Sequence, residues 1–403
     1  MVSVQEAVEL VLVHIKDFGT EYQPLDTSSG RVLAEPLVAD RDMPPFNRVT
    51  MDGIAIRSVD FSQGQRSFRV ENMFPAGQPQ GRLSETTGVA AEIMTGAILP
   101  IGADAVIRYE DIRLENGQAQ VQLTEVQRGQ NIHSQGVDAK QKEELAPVGQ
   151  KISLAEIGVA ASIGKSTLLV RKLPKVAVVS TGDEVIPVES EPQYYQIRQS
   201  NGYVLSSICN EYGLTPDRWH LPDNEEITIN QLQKIIQDYD VILISGGVSK
   251  GKLDYVPSAL NKLGVEKVFH QVAQRPGKPF WFGKSPEKGT LIFAFPGNPV
   301  SIAVCALVYF VPWLHKTLQA QVLQRLKVSL DEKVFFKPDL DYFAPARIRF
   351  AENVLQAFIG PGNGSGDYPN LVHQHGFVHL PKGKELYPAG EIVEFIPYKT
   401  WYL

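Results

Sequence analysis

The stretch "DVILISGG", residues 240–247, gives the clearest indication of the fold class of this chain. Its apolar run ends in a serine and two glycines, a pattern typical of a strand that is buried on both faces of a parallel sheet. A helical pattern at 224–239 precedes this strand, and another at 254–263 follows it. A strand that lies between two helices in this way predicts an open, mostly parallel α/β sheet.

The same alternation extends outward in both directions. Further strands are predicted at 175–180, 215–221, 265–272, 278–283 and 290–297, and further helices at 200–213 and 299–317. Outside this region the pattern changes to short strands and turns, with a hairpin in 105–123 around Asn116-Gly117. The sequence therefore predicts a multidomain α/β plus β protein, with one β domain before the α/β sheet and another from about residue 320 onward.

Composition restricts the classes of protein to which the chain can belong. At 403 residues it is long enough for about two to four domains. Its hydrophobic content of 43% is sufficient for these domains to have hydrophobic cores. Charged residues make up 21% and the formal net charge is -6, which describes a soluble, mildly acidic protein. A general nucleic-acid binder would carry a basic face instead, so that class is disfavoured.

Three apolar features predict a cytoplasmic location. Acidic residues interrupt the segment 3–15, which indicates an amphipathic helix and not a secretion signal. Cys209 and Cys305 lie in apolar helical patterns and are predicted to be buried thiols in a reducing compartment. The run 300–314 is too short to span a bilayer and predicts a buried core helix.

The segment "GVAASIGKST", residues 158–167, ends like a nucleotide-binding P-loop. A P-loop has four residues between its first glycine and the Gly-Lys-Ser/Thr end, but five residues separate Gly158 from Gly164. The order of elements is also reversed, because a helical pattern precedes Gly164 and a strand pattern follows it. We therefore predict that Gly164 ends a helix and that Lys165 is an ordinary surface cation.

The chemistry is expected where the strands of the α/β sheet end, because ligands of such sheets bind outside the carboxyl ends of the strands. Polar, acidic, basic, glycine and proline residues follow the predicted strands: Thr181, Gly182, Asp183, Glu184, Asp223, Gly246, Gly247, Ser249, Asp254, Lys278, Pro296, Asn298, Pro299 and Ser301. Taken alone, each is more often a helix cap or a turn residue. Their collection at one edge of the sheet favours a ligand site.

Several of these residues suit an anion. Gly246-Gly247 would let backbone N–H groups approach an oxyanion closely. Pro299 after Asn298 predicts a capped helix whose first turn attracts anions, and Lys278 adds a positive charge.

The acidic residues at the same edge require a further partner. Glu184, Asp223 and Asp254 would repel an anionic ligand unless a hard cation lay between them. Mg²⁺ held by one or two carboxylates and by substrate phosphate is the usual solution. The sequence therefore predicts a Mg²⁺-assisted phosphate or oxyanion pocket.

Several motifs occur in the order and spacing of one known family. They are "PPFNRVTMDGIAIR" (44–57), "MTGAILPIGADAVI" (94–107), "GQNIHSQGVDAK" (129–140), "TGDE" (181–184), "SNGYVL" (200–205), "SGGVSKGKLDY" (245–255), "RPGKP" (275–279) and "FPGNPVS" (295–301). With these motifs the chain resembles the molybdopterin molybdenumtransferases, the MoeA and gephyrin E-domain family, over nearly its whole length.

The resemblance implies an elongated homodimer of four-domain subunits. One domain would form from two separate pieces, 1–42 and 130–171, with a β domain inserted at 43–129. A MogA-like α/β molybdopterin-binding domain would follow at 172–318, and a β-barrel-like domain at 319–403 would end the chain.

The resemblance also implies a transferase reaction of molybdenum cofactor biosynthesis, in which adenylylated molybdopterin and molybdate give the molybdenum cofactor and AMP with Mg²⁺. The molybdopterin adenylyltransferase and acceptor molybdoenzymes would be partners, with no nucleic acid and no membrane. Two alternatives stay open on the sequence alone. One is another phosphate-ester or nucleotide-amide hydrolase on the same α/β fold, and the other is a peptide-binding scaffold of the gephyrin E-domain type.

Functional residues of the family carry over position by position. The resemblance implies catalytic roles for Asp52, Glu184, Asp223 and Asp254, and Mg²⁺ would be held by Asp223 and Asp254. It implies substrate contacts from Thr95, Asp138, Thr181, Gly182, Gly246, Gly247, Ser249, Lys278, Pro296, Pro299, Ser301, Arg347 and Ser365. Asp52 would face the cleft of the partner subunit.

At four positions the chain departs from the family pattern. His133 and Val137 stand where the family usually has arginine and glutamate. Pro345 stands where it commonly has arginine, and Asn370 stands where it has serine. The last two positions concern the contacts that the last domain makes with anions.

His373 and His375 are spaced like a pair of metal ligands. Neither a cysteine nor an acidic residue stands at metal-ligand spacing around them, so they are predicted to be surface residues and not a metal site.

Overall fold

The computed structural model of the chain describes residues 1–248, 255–321, 325–351, 353–360 and 362–399. Contacts between residues divide the chain into two compact units. The larger unit is Met1–Ala34, Gly149–Ser153 and Leu169–Leu403, and the smaller unit is Glu35–Val148 and Leu154–Leu168. The chain thus passes between the units more than once, and the finer division into four domains stays a prediction.

A six-stranded sheet forms the centre of the larger unit. In spatial order its strands are Asp217–Leu221, Val176–Thr181, Val241–Ser245, Leu291–Phe295, Trp281–Lys284 and Glu266–His270. The first four strands are parallel, and the last two are antiparallel to their neighbours. The predicted open, mostly parallel α/β sheet around residues 240–247 is therefore confirmed.

The central sheet is buried on both faces, which explains the unbroken apolar runs of its strands. Successive side chains of a strand point to opposite faces. Val178 and Leu243 accordingly pack into one hydrophobic core, whereas Val179 and Ile244 pack into a second core. Full burial of one such side chain contributes about 1.5–3 kcal/mol relative to an exposed one.

Helices cover the two faces of the central sheet. They span Asn201–Glu211, Glu225–Asp238, Tyr255–Lys262, Pro299–Cys305 and Val311–Thr317. A π-helical turn, Ala306–Phe310, joins the last two helices. Among the described residues, Pro299–Thr317 is the one helix that is long and apolar enough to cross a membrane, but 78% of its apolar window is buried within the protein. The predicted core helix at 300–314 is therefore confirmed.

The N-terminal helix and the cysteines also agree with the sequence patterns. Helix Val4–Leu12 begins with a capping box, in which Ser3 Oγ accepts a hydrogen bond from the backbone N–H of Glu6 (3.1 Å). Cys209 and Cys305 are free and buried. Burial raises the pKa of Cys209 to about 12, so the thiol stays protonated at neutral pH.

A closed barrel forms the C-terminal part of the larger unit. Around the ring its strands are Asp341–Ala351, Val354–Ile359, Leu326–Leu330, Ile392–Pro397 and Gly376–Leu380, and the last of these also pairs with the first. A short strand, Gln274–Arg275, leaves the α/β region and pairs in parallel with the first barrel strand. The helix Tyr368–His373 and the ladder of Val334–Phe335 with Leu386–Tyr387 complete this part. The predicted β-barrel-like end of the chain is confirmed.

The smaller unit consists mainly of short strands. Its mixed sheet has the spatial order Ala105–Arg108, Gly53–Ile56, Val89–Ile93, Ser67–Phe74, Gln118–Val121 and Ile112–Glu115. Two small ladders and two helices complete it: Arg48–Val49 with Ile132–His133, Leu37–Val38 with Glu144–Ala146, Ser58–Ser62 and Leu154–Ser162. The predicted hairpin is present, because Asn116 (φ 50°) and Gly117 (φ 74°) join two antiparallel strands.

The segment that ends like a P-loop is a helix end. The second helix of the smaller unit stops at Gly164, which has a φ of +76°, and strand Thr167–Arg171 follows. The backbone N–H of Lys165 donates to the carbonyl of Ala160 (2.9 Å), which closes a Schellman helix end. Lys165 Nζ lies 2.7 Å from Glu35 Oε1. The prediction for Gly164 is confirmed, and Lys165 pairs with a carboxylate.

Candidate active site

The first cavity lies at the carboxyl edge of the central sheet and has a volume of about 400 Å³. Its wall includes the ends of Val176–Thr181 and Val241–Ser245 and the short parallel strands Val185–Ile186 and Ile197–Arg198. The predicted site residues in this wall are Thr181, Gly182, Glu184, Asp223, Gly246, Gly247 and Pro296. The fold thus brings together residues that follow four different strands of the sheet.

Gly246 allows two strand ends to approach each other at this cavity, whereas Gly297 leaves room for a side-chain carbon. A Cβ atom at Gly246 (φ +89°) would lie 2.8 Å from Thr181 Oγ1, and one at Gly297 would lie 3.8 Å from the Cα of Gly246. The N–H of Gly246 donates to the carbonyl of Phe295 (3.0 Å). The expectation that this N–H faces an oxyanion is therefore wrong, and Gly246 instead permits close backbone packing.

Hydrogen bonds between two aspartate loops hold the acidic side of the first cavity. The N–H of Asp223 donates to Asp183 Oδ1 (3.0 Å), and the N–H of Asp183 lies 3.4 Å from Asp223 Oδ2. These bonds place the Asp223 carboxylate in the same wall as Glu184. The helix that follows is capped by Asn224, whose side chain accepts from the N–H of Ile227 (3.0 Å). The aspartates therefore link two loops and are not helix caps.

A second cavity, of about 390 Å³, adjoins the first. The two cavities share the wall residues Pro279, Pro296 and Asn298. Predicted site residues that line the second cavity are Lys278, Pro296, Ser301 and Ser365. All of these residues belong to the larger unit. Ser365 of the barrel therefore lies in one wall with Lys278, Pro296 and Ser301 of the α/β region, whereas Arg347 does not line this cavity.

The two cavities differ in charge. Among the described residues, the carboxylates of Glu184 and Asp223 line the first cavity with Arg198, whereas Arg275 and Lys278 line the second without a carboxylate. Arg198 Nε donates to a loop carbonyl. A small anion is therefore favoured in the second cavity, and a cation or a cation-bound phosphate is favoured in the first.

A tyrosine of the barrel adds a hydroxyl to the second cavity. Tyr342 lies in its wall and stacks on Phe336 with 4.3 Å between ring centroids. Burial raises the pKa of Tyr342, and the positive charge of Arg275 opposes this shift. The hydroxyl is therefore protonated at neutral pH and available as a donor.

Asn298 departs from its expected role as a helix cap. It stands at the N-cap position of Pro299–Cys305, but its side chain makes no capping hydrogen bond. Its Nδ2 instead donates to Ser365 Oγ (2.8 Å), and the N–H of Val300 donates to the carbonyl of Ser365 (3.0 Å). Pro299 begins the helix as predicted. The barrel loop around Ser365 thus takes up part of the helix end that was expected to attract an anion.

The structure adds cavity residues to which the sequence assigned no role. Asn201 Nδ2 donates to the carbonyl of Gly297 (2.7 Å), and its Oδ1 accepts from the hydroxyl of Tyr368 (3.1 Å). Gln199 Nε2 donates to Ser180 Oγ (2.8 Å). Gln199 and Asn201 are amide residues at the start of the motif "SNGYVL", and this clustering is the sequence signal that could have identified them. Tyr368 lies far away along the chain, and no local pattern indicates its contact.

Two predicted residues of the smaller unit form a hydrogen-bonded pair. Asp52 Oδ1 accepts from the backbone N–H of Thr95 (2.6 Å) and from its Oγ1 (2.8 Å). The backbone donor and then the hydroxyl donor lower the pKa of Asp52, because both stabilise its charged form. The structure therefore connects the motifs at 44–57 and 94–107.

Asp138 has a partner in the same unit. His133 Nε2 lies 2.9 Å from both carboxylate oxygens of Asp138. His133 stands where the family pattern has arginine, so a nitrogen donor still faces the acid at this position. The neighbouring departure, Val137, is 60% exposed.

The other departures from the family pattern lie at the second cavity. Pro345 and Asn370 are both wall residues there. Asn370 Oδ1 accepts from Gln374 Nε2 (2.9 Å). Arg347 is exposed on the barrel, where its guanidinium carbon lies 5.7 Å from the ring centroid of Phe358. The wall of the second cavity thus lacks an arginine at position 345 and contains Arg275.

Two predicted residues, Ser249 and Asp254, lie outside the described residues. Of the two histidines, His373 is exposed as predicted. The expectation that His375 is a surface residue is wrong, because it is half-buried and its Nδ1 accepts from the N–H of Ile348 (3.2 Å).

An acid-lined cavity beside a cation-lined cavity at the carboxyl edge of an α/β sheet is an arrangement suited to phosphate and oxyanion groups. The family models for the MoeA N-terminal region (domain I and II) and for a probable molybdopterin binding domain match residues 2–164 and 177–316. A curated molybdopterin molybdenumtransferase of Synechocystis sp. is 36% identical over 405 residues and covers 100% of both chains. The chain belongs to the molybdopterin molybdenumtransferase family, the MoeA proteins, and is a transferase of molybdenum cofactor biosynthesis.

Further relatives agree with this assignment. A molybdopterin molybdenumtransferase of Synechococcus elongatus is 34% identical and covers 98% of this chain and 99% of its own. A crystal structure of a molybdopterin biosynthesis MoeA protein from Pyrococcus horikoshii superposes with a TM-score of 0.82 at 28% identity, over 99% of this chain and 100% of that one. The hydrolase and scaffold alternatives are therefore not favoured.

Proposed function

We propose that the chain inserts molybdenum into molybdopterin, so that adenylylated molybdopterin and molybdate give the molybdenum cofactor and AMP. The observation that carries this proposal is the pair of adjoining cavities with different charge. Two molybdate oxygens leave as water when the two dithiolene sulfurs bind the metal. One water is consumed when the phosphoanhydride is cleaved.

In this proposal the second cavity binds molybdate. Arg275 and Lys278 attract the dianion, and the hydroxyl groups of Ser301 and Tyr342 are available as hydrogen-bond donors. The dithiolene of molybdopterin lies at the wall that both cavities share. Because Ser365 is itself bonded to Asn298, a ligand in the second cavity contacts a wall that the barrel and the α/β domain build together.

The first cavity binds the phosphoanhydride. Its proposed substrate contacts are Thr181, Gly182, Gly247 and Pro296, with Ser249 outside the described residues. Glu184 and Asp223 face this cavity and, without a cation, would repel the phosphates.

The donor set of the first cavity fits Mg²⁺. Carboxylate oxygens of Glu184 and Asp223 are the hard ligands that this ion prefers. No group of three or more His, Cys, Asp and Glu side chains within the described residues could hold a metal. The proposed protein ligands of the ion are Asp223 and Asp254, of which Asp254 lies outside the described residues. When bound, Mg²⁺ neutralises charge on the phosphoanhydride.

The proposal includes a homodimer. Asp52, Thr95 and Asp138 belong to the smaller unit, whereas both cavities belong to the larger unit. We assign Asp52 to the cleft of the partner subunit, as the family resemblance implies, and with it Thr95, to which it is hydrogen-bonded. The chain would act in the cytoplasm, receive its substrate from the molybdopterin adenylyltransferase, and deliver its product to acceptor molybdoenzymes.

A coupled assay tests this function. Purified chain is mixed with adenylylated molybdopterin, Mg²⁺ and increasing molybdate, and AMP release and reconstitution of an apo-molybdoenzyme are both measured. We expect both readouts to require molybdate and to fall strongly in Lys278→Ala. Lys262→Ala is the matched control, because Lys262 ends the helix Tyr255–Lys262 and forms an exposed pair with Glu225 of another helix. AMP release that does not depend on molybdate would indicate a hydrolase instead.

A further inference from the structure

Gln274 is a buried polar residue in the wall of the second cavity, and the proposed reaction gives it no role. Its side chain is 0% exposed, and it stands directly before the turn Arg275–Lys278 that carries both cations of this cavity. Burial of a carboxamide is unfavourable unless its polar atoms are hydrogen-bonded. The partners of Gln274 therefore indicate what the residue does.

The carboxamide of Gln274 links the turn to a helix. Its Nε2 donates to the carbonyl of Pro276 (2.8 Å) and lies 3.5 Å from Cys305 Sγ. Its Oε1 accepts from the hydroxyl of Tyr309. The orientation of the amide is determined, because the carbonyl of Pro276 can only accept and must face the nitrogen. Burial raises the pKa of Tyr309, so its hydroxyl stays protonated and donates.

The turn packs against the same side chains without spare room. A Cβ atom at Gly277 (φ +93°) would lie 2.5 Å from Cys305 Sγ and 2.6 Å from Gln274 Nε2. The thiol of Cys305 also lies 3.7 Å from the carbonyl of Gly277. A change in the position of Gln274 would therefore displace the turn itself.

Tyr309, the helix residue that bonds Gln274, is held in place by tight packing. It lies in the π-helical turn Ala306–Phe310, is 1% exposed, and stacks on Phe280 at 4.6 Å between ring centroids. Turns of this kind occur mostly as single insertions in α-helices, often near functional sites. The turn places the Tyr309 hydroxyl opposite Gln274, so the chain of contacts runs from the helix through Gln274 to the cationic turn.

We infer that Gln274 is a positioning residue of the oxyanion site: it couples Tyr309 to the turn Arg275–Lys278 and thereby sets how the two cations face the second cavity. This inference rests on the proposed function for the identity of the oxyanion. Gln274 itself acts through the turn and does not contact the reacting atoms.

The test compares variants that remove this link with a variant that removes a similar buried bond elsewhere. Gln274→Met keeps the side-chain length and removes both bonds, and Tyr309→Phe removes one of them. The control is Thr290→Val, because Thr290 is fully buried and its hydroxyl bonds two helix-end carbonyls, those of Ile236 and Tyr239. Thermal melts and AMP release against molybdate and against adenylylated molybdopterin are measured for each.

We expect Gln274→Met to raise the KM for molybdate about tenfold, the scale of one lost bond to a charged or buried group. The KM for adenylylated molybdopterin should stay within about twofold. Tyr309→Phe should shift the molybdate KM in the same direction but less, and the double variant should resemble Gln274→Met, because the two residues act as one unit. Thr290→Val should lower the melting temperature and leave the molybdate KM unchanged.

An unchanged molybdate KM in Gln274→Met, with a melting temperature lowered as in Thr290→Val, would overturn the inference. If Gln274→Met does not fold, the same result in Tyr309→Phe would overturn it. Absence of molybdate-dependent AMP release in the wild-type chain would contradict the proposed function instead, so the two failures are distinguishable.

Discussion

At the scale of single residues, backbone N–H groups donate to two acidic residues of the predicted site. Asp223 is held by the N–H of Asp183, and Asp52 is held by the N–H and hydroxyl of Thr95. Each carboxylate has further lone pairs besides those that accept these hydrogen bonds. These acids are therefore available to a cation or to a donor on the substrate.

Replacement of Asp223 by asparagine removes the negative charge of the side chain and keeps its shape. An amide oxygen can still accept from the N–H of Asp183, so we expect the melting temperature of Asp223→Asn to change little. AMP release should fall about a hundredfold or more, the scale of a preorganised electrostatic contact. Raised Mg²⁺ should partly restore it if the carboxylate mainly holds the ion.

Glu225→Gln is the matched control for Asp223→Asn, because Glu225 starts the next helix and pairs with Lys262. AMP release is measured against Mg²⁺ concentration for both variants. Wild-type turnover in Asp223→Asn at low Mg²⁺ would exclude Asp223 from the mechanism.

The pair of Asp52 and Thr95 gives a prediction for pH. The pKa of Asp52 is lowered in the folded protein, so its contribution to stability is present above the ordinary pKa and is lost as acidification protonates it. Thr95→Val removes the hydroxyl donor, and we expect the pKa of Asp52 to rise towards its ordinary value. Thr95→Ser keeps the donor and should keep the low pKa. An NMR titration of the Asp52 carboxyl group measures the shift, and equal pKa values in both variants would contradict it.

At the scale of elements, the helix Leu154–Ser162 has one glycine in its interior and another just after its last turn. Replacement by alanine is expected to have opposite effects on stability at these two positions. Gly158 lies inside Leu154–Ser162, whereas Gly164 ends it with a φ of +76°. A Cβ atom at either position would meet nothing within 4 Å. A difference between their alanine variants therefore reports on backbone conformation and not on steric clash.

We expect Gly158→Ala to stabilise the protein by about 0.4–1 kcal/mol, because alanine restricts the unfolded chain and favours helix. Gly164→Ala should destabilise it by about 1–2 kcal/mol, because a left-handed conformation is unfavourable for alanine. Denaturant unfolding measures the change in the free energy of unfolding for each of the two variants. Stabilisation by Gly164→Ala would contradict the assignment of this residue as a helix end.

At the scale of the whole molecule, the proposed homodimer predicts complementation. If Asp52 serves the cleft of the partner subunit, a heterodimer of Asp52→Ala with Asp223→Ala contains one intact composite site. We expect the mixture to recover up to about half of the wild-type AMP release per heterodimer, whereas each variant alone stays inactive. No recovery after subunit exchange is verified by differently tagged chains would place both residues in the site of one subunit.

Most of the fold could be predicted because its signals are local. The apolar run at 240–247, the hairpin around Asn116-Gly117 and the helix end at Gly164 each depend on residues within one element. Part of the candidate site could also be predicted from local signals. The ends of the strands can be read from the sequence, and ligands of open α/β sheets bind outside the carboxyl ends of the strands.

Local patterns along the chain therefore establish the order of strands and helices, their buried faces and the set of polar residues at the strand ends. Packing of distant segments is needed for Asn298 to bond Ser365 instead of capping its helix, and for Gln274 to join Tyr309 to the cationic turn. These pairs are separated by 67 and 35 residues along the chain. Periodicity and capping patterns extend over only a few residues, whereas a hydrogen bond between distant segments exists only once the packed core has brought them together.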